Sequence, residues 1–162
     1  MPLASLPHYT VRALGPDDRD ALAAAFARLS PESRRRRFLG PKPALSAREL
    51  TFLTEVDHVR HEALAAIDGD GSIVAVARYN AWSPREQVAD LAVVVIDEWQ
   101  GRRLGTRLAH AAIQRARANG FALLTGTTLW DNRPARRMLR TLGFNTVAYE
   151  GALLDMELRL AQ

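Results

Sequence analysis

The chain has 162 residues, 48% of them apolar, no cysteine and a formal net charge of +4. That length predicts a single domain, 1–162, with a sizeable core. The missing cysteines exclude disulfides, thiolate metal ligands and a cysteine nucleophile.

In chain order, Tyr9 to Leu14 reads as a short strand, broken by Gly15-Pro16. Asp17 and Asp18 then open a helix whose apolar face is Leu22, Phe26 and Leu29. Ser30 is an N-cap and Pro31 a first helical residue, so the chain restarts as helix. Arg34 to Arg37 read as a solvated basic face of that helix, the alternatives being an acidic partner or a wall of a substrate cleft. Ser46-Ala47-Arg48-Glu49 is a capping box ahead of Leu50, Phe52 and Leu53. The period then changes. His61 to Ile67, Ser72 to Trp82 and Gln87 to Ile96 form a meander, turning at Asp68-Gly69-Asp70-Gly71 and at Trp82 to Glu86. Leu104, Leu108, Ala111, Ala112 and Ala116 recur at helical spacing up to Asn119-Gly120. Phe121 to Leu129 is a strand that a crossover helix should make parallel to its predecessor. Asp131-Asn132-Arg133-Pro134 caps a last helix ending at Gly143, and two strands follow, Phe144 to Tyr149 and Ala152 to Leu160. This order predicts an α/β (α+β) domain, a mixed and mostly antiparallel sheet with helices on both faces.

Chemistry concentrates in Ala89 to Thr106. An apolar strand runs into a turn with two glycines and two arginines, and a helix leaves it. The first N–H groups of a helix lack internal partners and lie at the positive end of its dipole, so this arrangement suits a phosphate. The run lacks a phosphate-loop Gly-Lys-Ser/Thr ending and the three-glycine dinucleotide pattern. Gln100-Gly101-Arg102-Arg103-Leu104-Gly105 resembles the acyl-coenzyme A loop of the GCN5-related N-acetyltransferases, Gln/Arg-x-x-Gly-x-Gly/Ala. Arg103 replaces the first patterned glycine. The element order resembles that fold over nearly the whole chain, and Asn132 with Leu142-Gly143-Phe144 match its last helix. More narrowly, Leu29-Ser30-Pro31-Glu32-Ser33-Arg34, Arg37-Phe38, Val56-Asp57-His58 and Ala89 to Ala92 resemble the acetyltransferase domain of bacterial protein-lysine acetyltransferases.

The resemblance implies a parallel strand pair splayed at the centre of the sheet and acetyl-coenzyme A as co-substrate. It implies pantetheine contacts at Val93, Val94, Val95 and Asn132, and pyrophosphate contacts at Gln100, Gly101, Arg102, Arg103, Gly105 and Thr106. Arg136 or Arg137 would meet an outer phosphate unless they are ordinary exposed helix arginines. An amine acceptor near pKa ~10.4 needs a base. Asp90, an acid interrupting an apolar strand, is the candidate; the resemblance has glutamate there, and the shorter aspartate calls for a relaying water. The family's tyrosine acid falls on Leu139, so Tyr79 and Tyr149 are the substitutes, each also readable as a packed aromatic.

No metal site is expected, since only His58 and His61 are close among four histidines. The absence of a signal-peptide core or a ~20-residue apolar run predicts a soluble, cytoplasmic protein without a membrane partner. Lys42 is the only lysine, and the mild basic excess is too small to argue for nucleic acid. The expected activity is acetyl transfer to a primary amine, foremost a protein lysine and otherwise a small molecule. The rival classes are a non-catalytic acyl-coenzyme A sensor and a nucleic-acid binder using Arg34 to Arg37. By analogy with the family, a homodimer is expected.

Overall fold

The computed structural model describes residues 8–160. Strand β1 (Tyr9–Ala13) leads through a 3-10 turn (Pro16–Asp18) into helices α1 (Arg19–Ala27), α2 (Pro31–Phe38) and α3 (Ala47–Thr54). The meander is β2 (His61–Asp68), β3 (Ile73–Ala81) and β4 (Val88–Val95). A second 3-10 turn (Asp97–Trp99) precedes α4 (Leu104–Ala118), β5 (Leu123–Leu129), α5 (Arg133–Thr141), β6 (Asn145–Glu150) and β7 (Leu153–Arg159). One seven-stranded sheet runs β1-β2-β3-β4-β5-β7-β6. Every neighbouring pair is antiparallel except the central β4–β5.

Local chemistry explains the boundaries. Ser30 Oγ accepts the Ser33 N–H at 3.0 Å, and Ser46 and Glu49 close a reciprocal capping box. Both α4 and α5 end in the same Schellman arrangement. Gly120 and Gly143 take φ of +85° and +100°, and the next residues, Phe121 and Phe144, donate back to Ala116 O and Leu139 O. That bond holds Phe121 to the helix, which is why β5 starts two residues later than expected. The expected helix at Asp17 is likewise divided. The Asp18 carboxylate accepts from the Gly15 N–H at 2.8 Å and from Arg12, so a tight turn forms before α1 begins.

The core follows from coverage. All but the last one or two residues of β2 and β3 are buried, because α1 packs on one face of β3 while α4 packs on the other. On α4 the buried side chains are Leu104, Leu108, Ala109, Ala112, Ile113 and Ala116, a single stripe. Fully burying a leucine such as Leu108 stabilises by about 2 kcal/mol. Edge strand β6 is exposed throughout.

Candidate active site

Strands β4 and β5 pair only at Val88–Leu123, Ala89–Leu124 and Asp90–Thr125. Beyond that couple they separate, while β4 stays paired to β3 up to Val95. Backbone direction alternates along a strand. Trp82 N–H donates to Val88 O and Ile96 N–H to Val74 O, so the even-numbered residues of β4 turn their amides to β3. Odd-numbered ones turn away. Past the fork, the amides of Val93 and Val95 therefore face the gap, whereas that of Val94 belongs to the β3 ladder. The side chains divide the other way. Val93 and Val95 point at α4, near Gly105. Val94 and Ile96 line an apolar cavity of about 40 Å³ beneath α1 to α3.

Asp90 sits at the fork itself. Its Oδ1 accepts from the Thr125 hydroxyl at 2.8 Å, and Thr125 Oγ1 in turn accepts from Trp82 Nε1–H at 3.1 Å. Burial pushes the Asp90 carboxyl above the usual carboxylate range; the Thr125 hydrogen bond and the charge of Arg37 oppose this, and Asp155 adds to it. Asp155 lies on β7 and accepts from Thr127 at 2.9 Å. Thr125 and Thr127 alternate with the buried Leu124, Gly126 and Thr128, so both hydroxyls line the Asp90 side of the sheet.

The four-arginine run does not present one solvated face. Arg34 stacks on Phe26 and donates to Phe26 O and Pro43 O. Arg35 pairs with Glu32 and reaches Asp131, tying α2 to the turn after β5, and Arg36 also pairs with Glu32. Arg37 stacks on Phe38, lines the cavity and lies near enough to Asp90 for mutual stabilisation. In sequence Arg37 is set apart from its neighbours only by the Arg37-Phe38 resemblance, and Thr125, Trp82 and Asp155 carry no motif. The available signals were the Thr125/Thr127 alternation in β5 and a tryptophan just past a strand end.

At the mouth of the gap, Gly101 has φ of +78°. Arg103 is the N-cap of α4 and takes the left-handed conformation, φ +62°, with no side-chain cap on the helix. That conformation costs a side-chain-bearing residue about 1–2 kcal/mol, which accounts for the glycine in the resembled pattern. Gly105 serves close packing: a Cβ there would meet Val95 Cγ2 at 3.3 Å and Met138 Sδ at 3.6 Å. The Gln100 side chain turns inward, donating to Val95 O and Ser33 Oγ. Asn132 is buried and its Oδ1 accepts from the Ala135 N–H. Thr106 stands in the first turn of α4, and Arg102 stacks on Trp99.

Other candidates lie elsewhere. Leu139 is buried against Gly126. Tyr79 is fully buried, donates to Val59 O and accepts from Asn119, on the α4 side of the sheet away from Asp90. Tyr149 is exposed and packs on Trp130, over which Arg136 also stacks. His61 is pushed down to about 4 by burial and by Arg78, whose Nη1 donates to it. His58 pairs with Glu62. Among the described residues no metal-binding group of side chains forms, and no helix is long and apolar enough to cross a membrane.

A sheet forked between parallel strands, with donors facing the fork and a carboxylate at its base, is built for acyl transfer. Residues 25–144 match the acetyltransferase (GNAT) family. The chain belongs to that family and is an N-acetyltransferase. It is 33% identical over 140 residues to an acetyltransferase of Pseudomonas aeruginosa, covering 85% of this chain and 75% of the relative. It is 33% identical over 84 residues to an L-methionine sulfoximine/L-methionine sulfone acetyltransferase of Pseudomonas paraeruginosa, about half of each chain. The GNAT domain of S. lividans PAT superposes with a TM-score of 0.86 at 28% identity, covering 93% of this chain and 89% of that one.

Proposed function

We propose that this acetyl-coenzyme A-dependent transferase acetylates a primary amine, foremost a lysine side chain of a protein, with Asp90 as general base. The separation of β4 from β5 immediately after the Asp90–Thr125 couple carries this reading. It leaves strand amides and a carboxylate on one gap.

The residues present fit the donor. The uncapped start of α4 and the turn Gly101, Arg102 and Arg103 offer N–H groups and positive charge to a pyrophosphate, with Gly105 and Thr106 behind them. Gln100 holds the strand end, and Asn132 keeps its amide nitrogen for the pantetheine arm. The amides of Val93 and Val95 face the carbonyl oxygen and stabilise the charge it gains, and Val94 keeps β4 in register. Acetyl-coenzyme A supplies a thioester, whose thiol near pKa ~8.5 leaves without a strong acid. The amine nitrogen bonds to the acetyl carbon, the carbon–sulfur bond breaks, and the amine's proton passes to Asp90. Arg37 favours both the ionised base and a neutral amine beside it.

A small-molecule amine is the second reading, favoured by the relative named for methionine sulfoximine. Thiol release from acetyl-coenzyme A, assayed with a panel of amines and a lysine-bearing protein extract, separates the two. Coenzyme A binding without release under every acceptor would instead support a sensor. Neither binding nor release would end the reading built on Gln100 to Thr106.

A further inference from the structure

Trp82 is 63% exposed, yet it is not a loose surface side chain. Its indole N–H is anchored on Thr125 Oγ1, and Thr125 donates to Asp90. The turn that carries it is also held: Arg60 donates to Ser83 O and Glu86 O and stacks on Phe121. An aromatic face is thus fixed in the open, one hydroxyl away from the candidate base. A fixed, solvated indole attracts a cation through its ring quadrupole.

We propose that Trp82 determines acceptor specificity, its ring carrying the aliphatic stem and ammonium of a lysine-like acceptor while its N–H, through Thr125, positions Asp90. This rests on the reading of Asp90 as base and of a lysine as acceptor. The groups facing Asp90 are Arg37 from α2, Thr125 from β5 and Asp155 from β7. Arg37 disfavours a cation at the carboxylate itself. The indole therefore holds the ammonium until it gives its first proton to solvent, and the neutral amine moves on to the thioester, where Asp90 takes the second.

The two roles separate by substitution. Trp82→Leu removes the ring face and should raise the KM for a lysine-bearing peptide roughly 2- to 30-fold. Trp82→Phe keeps a ring and loses the donor, so its peptide KM should stay near the native value while its kcat/KM profile shifts to higher pH. Thr125→Val should give that same shift with the peptide KM unchanged. An unchanged KM for acetyl-coenzyme A shows that each variant is folded.

Calorimetry with two unreactive peptides isolates recognition from chemistry. A trimethyl-lysine peptide should bind wild type more tightly than a norleucine peptide, and Trp82→Leu should erase the difference. Equal binding of the two by wild type, or an undiminished preference in Trp82→Leu, would overturn the proposal. Asp90→Asn with native kcat would instead remove the base assignment, leaving the binding preference to be judged on its own. A wild type that prefers trimethyl-lysine but acetylates only small amines would support Trp82 while rejecting the protein acceptor.

Discussion

Two carboxylates on the strands that flank β3 have opposite surroundings. Glu62 on β2 stands opposite Tyr79, on the face covered by α4. It is fully buried and fully matched: Oε1 accepts from the Ala63 N–H at 2.9 Å and from His58 at 2.8 Å, and Oε2 from Arg115 at 3.0 Å. Asp90 on β4 stands opposite Asn80, on the other face, with Thr125 as its one hydrogen-bond donor among the described residues. Glu62 has no lone pair directed at a substrate. Among the described residues Asp90 accepts from Thr125 alone, at the last couple before β5 separates from β4. Burial of an acid therefore signals chemistry only where the surrounding donors are too few.

Asp90→Asn puts this contrast under the greatest strain. Loss of a general base lowers kcat about 10²- to 10⁴-fold, so an unchanged rate would remove the assignment. The same change should leave stability at neutral pH equal or higher in denaturant titrations. The sign follows from burial, which raises the folded-state pKa of Asp90. The folded protein binds that proton more tightly than the unfolded chain, so this group's contribution to stability falls as pH rises through its titration. Activity moves oppositely: kcat/KM should rise with pH through the same range, on an acid limb above the ordinary carboxylate value of ~3.9.

Next in size is Gly105→Trp. Any Cβ there already crowds Val95, and overpacking costs roughly 1–3 kcal/mol. The start of α4 should be displaced and the KM for acetyl-coenzyme A raised about tenfold, read from initial rates. Native coenzyme binding would sink the assignment of this helix end.

Glu62→Gln tests the matched partner. Weakening charge-assisted bonds to half-exposed His58 and Arg115 should cost about 1–3 kcal/mol of stability, seen as a lowered Tm. The kcat of the folded fraction should hold, and a selective loss of kcat would mean that Glu62 also acts in the chemistry. The smallest expected effect is Arg103→Gly. Relief of the left-handed conformation, offset to some extent by glycine's greater freedom in the unfolded chain, should stabilise by at most about 1 kcal/mol. A lower Tm would show that the arginine side chain matters more than its backbone.

Much of this was readable along the chain. Ser30, Ser46 and Asn132 cap helices and Gly120 and Gly143 end them because such bonds span only a few residues. The meander and the crossover to β5 follow from hydrophobic period and segment length. Asp90 was legible as an acid set in an apolar strand. The loop Gln100 to Thr106 was legible through its glycines and the helix that follows, although the inward turn of Gln100 was not.

What the tertiary structure alone decided is which groups meet. Thr125 lies 35 residues from Asp90 in sequence, and their hydrogen bond exists only because β4 and β5 run parallel up to this couple and then diverge. Trp82 reaches Thr125 across the same junction. Arg34 to Arg37 are one uniform run in sequence, and only the docking of α2 against β4 and β5 separates Arg37, near the base, from Arg35 and Arg36 on Glu32. Local patterns report the period and the ends of elements, since those depend on neighbours in the chain. Register across strands and the side on which a helix packs depend on the whole core closing at once, and these set Asp90 at the fork beside Thr125 while Glu62 is enclosed by Arg115, His58 and Ala63.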